Sequence, residues 1–339
     1  YHMRKKFYFL FFLIIFLFTS IFAKETKKET LWRYDLEKAI FYALKDENLF
    51  EIQDLAINLK GSSLQESIWN ILMWEERNIK YDFEKANLPE PIIYIWTTGE
   101  IEVIQGENNV FQTPYETIQL GKGVCKDYAL LTAGLLLKMN YFPIYILEIE
   151  FQNDPIKHTA VGMVVDGWLF ILDQNPPPMD PGTYYKHWFY NEGKIIKNIN
   201  LYEINKKEGF NVLKYNLKVE DFKSLDYEST SKDLEYIGLS LMKIFKDNFS
   251  NLNVDNRVSS LDKLQYLPKG YSKGKIWYFE FPDFLEFYNP IFHFQFVNEL
   301  YRDILEDGEV YKDMKTFNSF FIRVEKINKG IRLILNLAL

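Results

Sequence analysis

Residues 113–143 read TPYETIQLGKGVCKDYALLTAGLLLKMNYFP, and this stretch decides the fold. Thr113-Pro114 opens a turn, and Gly121 and Gly123 mark another. From Cys125 to Met139 no residue opposes a helix except Gly134. That helix is apolar nearly all round, through Ala129, Leu130, Leu131, Ala133, Leu135, Leu136 and Leu137. Such a helix lies in the middle of a domain, covered on several sides. Cys125 falls in its first turn, where free backbone N–H groups and the helix dipole favour an anion such as a thiolate. A cysteine that only filled space would more naturally fall among the leucines.

Outward from this helix, Ile144 to Phe151 is rich in β-branched and aromatic residues and reads as a strand. A loop from Gln152 to Lys157 follows. Residues 158–173, HTAVGMVVDGWLFILD, then read as a hairpin with a two-residue Asp166-Gly167 turn. With that turn Val165 faces Trp168, Met163 faces Phe170 and Val161 faces Leu172, giving one apolar face. On the other face Ala160 lies opposite Asp173, and His158 is one diagonal step from Asp173. Diagonal neighbours are about 7–8 Å apart at the backbone, within reach of an imidazole and a carboxylate. Ala160 and Gly162 are small, so a helix is expected to pack on their face, and the Cys125 helix is the natural candidate.

Three phrases in order carry a resemblance. They are WEERNIKYD (74–82), GKGVCKDYALLTAGLL (121–136) and HTAVGMVVDGWLFILDQN (158–175). Together they resemble the transglutaminase-like core of the papain-type cysteine enzymes, over about a third of the chain, Leu64 to Asn175. The resemblance places Cys125 on the nucleophile, His158 on the base and Asp173 on the residue that orients the base. It implies an α+β fold: N-terminal helices, and a central cysteine helix packed on an antiparallel sheet. It also implies acyl transfer through a cysteine thioester on a protein or peptide amide, with no cofactor and no metal. Hydrolysis is the expected outcome, because water needs no groove of its own. The alternatives are a cross-linking transglutaminase and a catalytically silent module for binding or surface assembly. Many members carry an aromatic residue two positions after the histidine, where this chain has Ala160.

The N-terminus has a separate meaning. Tyr1 and His2 precede Met3, at which the natural start is expected. Arg4, Lys5 and Lys6 lead into an unbroken apolar run from Phe7 to Phe18 that continues, with a weak break, to Ala23. A basic head, an apolar body and a small terminal residue are expected to be a signal peptide or membrane anchor, residues 1–23. Either places the rest of the chain outside the cytoplasm, secreted or anchored, with the basic head inside. Cys125 is the only cysteine in 339 residues. It has no intrachain disulfide partner, so an exported chain needs another reason to keep it.

Composition bounds the rest. The chain is 47% hydrophobic and 17% aromatic with a formal net charge of −7. It can bury a sizeable core. Its mild acidity, without a basic stripe, argues against a nucleic-acid partner. No His or Cys set has metal-ligand spacing; His187 and His293 read as structural or surface residues. The GKG of Gly121 to Gly123 lacks the length and the Lys-Ser/Thr end of a phosphate loop. The Cys125 backbone N–H is the expected first oxyanion donor; for the second, Gln119 and Trp96 are conceivable, although a loop polar residue and a strand aromatic are the commoner explanations. The run Pro176-Pro177-Pro178, followed by Tyr184, Tyr185, Trp188, Phe189 and Tyr190, reads as a stiff exit loop; a wall of the cleft is the weaker reading.

Elsewhere, Leu31 to Leu59 is helix-compatible throughout. A second helix starts after Gly61-Ser62-Ser63, with Ser63 and Glu66 spaced as a capping box. Pro91 to Ile104 reads as short strands. The transglutaminase-like domain is expected over 31–199 with its core at 64–175. Residues 200–339 are expected to form an α+β region. There Lys232–Phe249 and Pro290–Leu305 read as helices. Ile276–Phe281, Asn318–Lys326 and Ile331–Leu337 read as strands, the last two joined at Asn328-Lys329-Gly330.

Overall fold

The computed structural model describes residues 31–339 apart from 99, 100, 208 and 265. The segment 1–23, expected to be a signal or anchor, lies outside the described residues.

Short helices open the described chain. They are a 3-10 turn at Leu31–Tyr34, α1 (Leu36–Ala43), a 3-10 stretch at Asp46–Ile52 and α2 (Gln53–Leu59). This differs from the single long helix that the sequence allows. A straight helix would spread Ile40 and Ile52 over about 18 Å. The broken path instead buries Ile40, Leu44, Leu49 and Ile52 in one cluster. Helix α3 (Leu64–Asn78) follows, capped by the Ser63 hydroxyl accepting from the Glu66 N–H at 3.1 Å. The Glu66 carboxylate accepts from the N–H of Ser62 rather than of Ser63. A small hairpin, β1 (Ile92–Ile95) and β2 (Ile101–Gln105), then precedes α4 (Pro114–Leu120).

Helix α5 spans Cys125–Lys138, and every residue from Asp127 to Leu137 is buried. The turn before it uses Gly121 in the left-handed region, at φ 61°, to end α4. Gly134, the exception in the helix pattern, has a packing reason. A Cβ there would stand 3.0 Å from both Leu49 Cδ2 and Pro114 Cγ. Its hydrogen lets the N-terminal helices and α4 close on α5.

The main sheet contains β3 (Ile144–Phe151), β4 (His158–Val165), β5 (Trp168–Asp173), β6 (Asn175–Met179), β7 (Ile196–Asn205) and β8 (Asn211–Leu217), with helix α6 (Pro181–Tyr190) between β6 and β7. Its order is β8-β7-β3-β4-β5-β6 and every neighbouring pair is antiparallel. The hairpin register is the expected one, with Val165 opposite Trp168, Met163 opposite Phe170 and Val161 opposite Leu172. Asp166 and Gly167 both take positive φ, 50° and 85°, as a two-residue primed turn requires.

One packing expectation is corrected. Helix α5 shares its core with Val161, Met163 and Val165, the opposite face from Ala160 and Gly162. Ala160 belongs to a second core with Ile171, Tyr184 and Phe222. Over Gly162 the space is taken by neighbouring side chains; a Cβ would meet Leu147 Cδ1 at 2.9 Å. The small residues of β4 therefore admit cross-strand leucines and the buried rings of Tyr184 and Phe222, not the cysteine helix.

The C-terminal region holds α7 (Ser231–Asn248), β9 (Gly274–Phe281), α8 (His293–Glu306), β10 (Ser319–Ile327) and β11 (Gly330–Ala338). Strand β11 lies between β10 and β9, and Asn253–Val254 pairs with the outer edge of β10. The expected division at 199/200 falls inside β7, and the main sheet runs on to Leu217. The core is also continuous across that division. The Phe292 ring lies 4.8 Å from that of Phe170, and Trp69 donates through Nε1 to Glu299 at 2.9 Å.

Candidate active site

Cys125 is the first residue of α5, and its position is set by a buried network. Asp127 Oδ2 accepts from the Val124 N–H at 2.9 Å and from Lys85 Nζ at 2.5 Å. Its Oδ1 accepts from the Gln112 N–H at 3.0 Å. One buried carboxylate thus ties the loop at Gln112, the short helix Phe83–Ala86 that carries Lys85, and the start of α5 together. Behind it, the Tyr128 hydroxyl donates to the Ile79 carbonyl at 2.7 Å. Thr132 donates to Glu75 Oε1 at 2.7 Å, and burial raises the Glu75 pKa well above the usual carboxylate range.

The structure brings His158 and Asp173 to the same place. His158 Nε2 lies 2.7 Å from Asp173 Oδ2. Because a carboxylate only accepts, Nε2 carries the proton and Nδ1 is left for another partner. His158 is the first residue of β4, and Cys125 is near enough to favour its protonated ring. Burial opposes the imidazolium. The Asp173 charge and hydrogen bond, with a further push from Cys125, outweigh burial and raise the His158 pKa to about 10. Asp173 is held below its ordinary pKa despite burial. Burial is the largest single influence and opposes this, but the His158 charge and hydrogen bond, joined by donors from Tyr184 and Gln174, together outweigh it.

Two aromatic residues that sequence reasoning treated as loop packing belong to this site. The Tyr184 hydroxyl donates to Asp173 Oδ2 at 2.7 Å. The Trp188 ring lies 4.8 Å from the His158 ring, at an interplanar angle of 59°. Both project from α6, a helix where an exit loop was expected, and they pack behind the His158–Asp173 pair; neither lines the cavity beside Cys125, so they are not a wall of that cleft. Their i, i+4 spacing puts them on one helix face, a signal the sequence contained. Lys85, Asp127 and Glu75 were also missed, since single charges in apolar surroundings carry no local pattern.

Cys125 is partly exposed and lines a cavity of about 330 Å³ together with Tyr81, Glu90, Phe111, Lys126 and Thr159. Tyr81, half-buried on that wall, has its phenol pushed up to about 12 by burial and then by the Cys125 charge. The two conceived oxyanion donors lie elsewhere: Trp96 donates to Glu102 within the small hairpin, and Gln119 is exposed on α4. His187 bonds Asn191 on the surface of α6. His293 is buried between Ser240 and Tyr288, and burial lowers its pKa to about 4. Both are structural. Among the described residues no group of three His, Cys, Asp or Glu side chains is placed to hold a metal.

Comparison with known proteins gives this arrangement a family. The profile of a transglutaminase-like domain family matches residues 50–202. A UPF0252 protein of Archaeoglobus fulgidus is 34% identical over 296 residues, 87% of each chain. One from Pyrococcus furiosus is 32% identical over 294 residues, 86% of this chain and 81% of the relative. Likeness to solved structures is slight. Calcium-bound LapG of Legionella pneumophila is 16% identical, covering 48% of this chain and 86% of that one, with a TM-score of 0.24. The weight rests on the sequence relatives: the chain belongs to the UPF0252 family and carries a transglutaminase-like domain within residues 50–202.

Proposed function

We propose that this protein is a cysteine hydrolase that cleaves amide bonds of exported or surface polypeptides through a Cys125 thioester. The observation that carries the reading is the 2.7 Å His158–Asp173 contact beside a partly exposed thiol at a helix start. In the resting site the thiol proton rests on His158, with Asp173 fixing the tautomer. The Cys125 sulfur attacks the amide carbonyl, and the carbonyl π electrons move onto oxygen. The Cys125 backbone N–H is one donor for that oxyanion, and the Tyr81 hydroxyl on the cavity wall is a second. When the oxyanion collapses the C–N bond breaks, and His158 returns its proton to the departing amine. Water then adds to the thioester with His158 taking a proton, releasing the acid and restoring the pair.

The exported setting is proposed on residues 4–23 alone and is checked by fractionating cells that express the full chain. Among the described residues no helix is long and apolar enough to cross a membrane.

The test is iodoacetamide alkylation of the single thiol across pH, wild type against His158→Ala. The expected result is an alkylation rate at pH 6 that falls by at least about ten-fold in the variant, since general acid–base partners contribute factors of this order or more. A rate profile that ignores His158 would leave the silent binding module as the reading.

A further inference from the structure

The residue after the nucleophile, Lys126, lines the same cavity and is held in an unusual way. Its ammonium donates to Asn109 Oδ1 at 2.7 Å and to the Asn109 carbonyl at 3.1 Å. It also sits 4.5 Å from the centre of the Phe111 ring. The wall behind is fixed. Arg33 bridges the Phe111 carbonyl and both oxygens of Glu116, at 3.2, 3.1 and 2.7 Å. The other two cations of the cavity are already neutralised: Lys85 by Asp127 and Lys157 by Glu148 and Glu150. Among the described residues no carboxylate lies within 4.0 Å of the Lys126 ammonium; the charges of Asp127, Glu90 and Cys125 favour it only from farther away, and that of Lys85 opposes it.

An ammonium has three donors, and Asn109 takes two, both neutral acceptors. Removing a cation from water without an opposing charge is costly unless a partner arrives. Burial accordingly pushes the Lys126 pKa down. We infer that Lys126 is a specificity residue that binds a carboxylate of the substrate beside the amide under attack. One positive charge without a direct ion-pair partner matches one carboxylate better than a doubly charged phosphate. The carboxylate is either an acidic side chain next to the cleaved bond or the substrate's own C-terminus. This inference rests on the proposed reaction at Cys125.

The two are separable because the thiol can report on both. Iodoacetamide is neutral, whereas iodoacetate carries a carboxylate one bond from the carbon that the sulfur attacks, with iodide leaving in each case. The rate ratio of iodoacetate to iodoacetamide cancels any change in nucleophilicity and reads the positive charge around the sulfur, and the comparison with Lys126→Met isolates the share of Lys126 from that of the His158 imidazolium. In the full-length protein this ratio should exceed that of free N-acetylcysteine amide. It should fall roughly five-fold in Lys126→Met, the size of one partly exposed charge contact. Lys126→Arg should retain most of the ratio, showing that charge and not packing is responsible. A wild-type ratio no higher than the free thiol, or one unchanged in Lys126→Met, overturns the assignment. The His158 dependence of the iodoacetamide rate judges the reaction independently.

Protection from iodoacetamide names the source. Acetyl-Ala-Glu-amide protecting at millimolar concentration points to an acidic side chain, and acetyl-Ala-Ala with a free carboxylate points to a chain end. Failure of both to protect also overturns the inference.

Discussion

At the scale of single residues the site is an electrostatic balance with a pH consequence. His158 is raised above its ordinary value, so its interaction with Asp173 favours the folded state fully below about pH 6.5, the usual histidine value. That contribution is lost as pH rises through about 10. His158→Gln should remove it. The melting temperature of wild type is expected to fall more steeply between pH 7 and 10 than that of the variant, by calorimetry. Parallel pH profiles would mean that the pair adds nothing to stability. The three residues Cys125, His158 and Asp173 were legible early, because a lone thiol at a helix start and a two-residue turn are both local signals. Tyr184 was not, since nothing in YYKHWFY says which ring turns toward a carboxylate eleven residues earlier.

At the scale of elements the cysteine helix is anchored by one carboxylate with three donors. Asp127 accepts from Lys85, Val124 and Gln112, and its side chain is fully buried. Asp127→Ala leaves a buried ammonium and two N–H groups without that acceptor, and should cost about 3–5 kcal/mol in urea unfolding. A loss below about 1 kcal/mol would show that water or a rearranged loop replaces it. The boundaries of α5, β3, β4 and β5 follow the sequence pattern to within a residue, because their apolar periods and turn residues agree. Leu31 to Leu59 breaks where the pattern allows one helix. Its course is decided by what α5 and Gly134 admit, and that contact is not written in the local sequence.

At the scale of the whole molecule, the chain beyond Leu217 packs on the same core as the site. Phe292 meets both Phe170 and Trp69, and α6 is tied to later residues through the Gly182 N–H and the Leu225 carbonyl at 2.7 Å. Phe292→Ala should cost about 3–5 kcal/mol, as large core truncations do. It should also move a single calorimetric transition of the full chain rather than one of two. Two transitions, with only one of them displaced, would mean two units of independent stability. Sequence placed most of the C-terminal helices and strands but not their docking. Docking depends on long-range contacts such as Trp69 to Glu299, for which a single sequence holds no pairing rule.

The histidine, the aspartate, the tyrosine that bonds it and the tryptophan beside the imidazole all come from one uninterrupted stretch, His158 to Trp188. The cysteine and its anchoring carboxylate come from another. What joins the two along the chain is α5, β3 and the loop at 152–157, whose Pro155, Ile156 and Lys157 line the cavity. A change in the length of that loop would therefore reshape the cavity while leaving each set of bonded partners within its own stretch of chain.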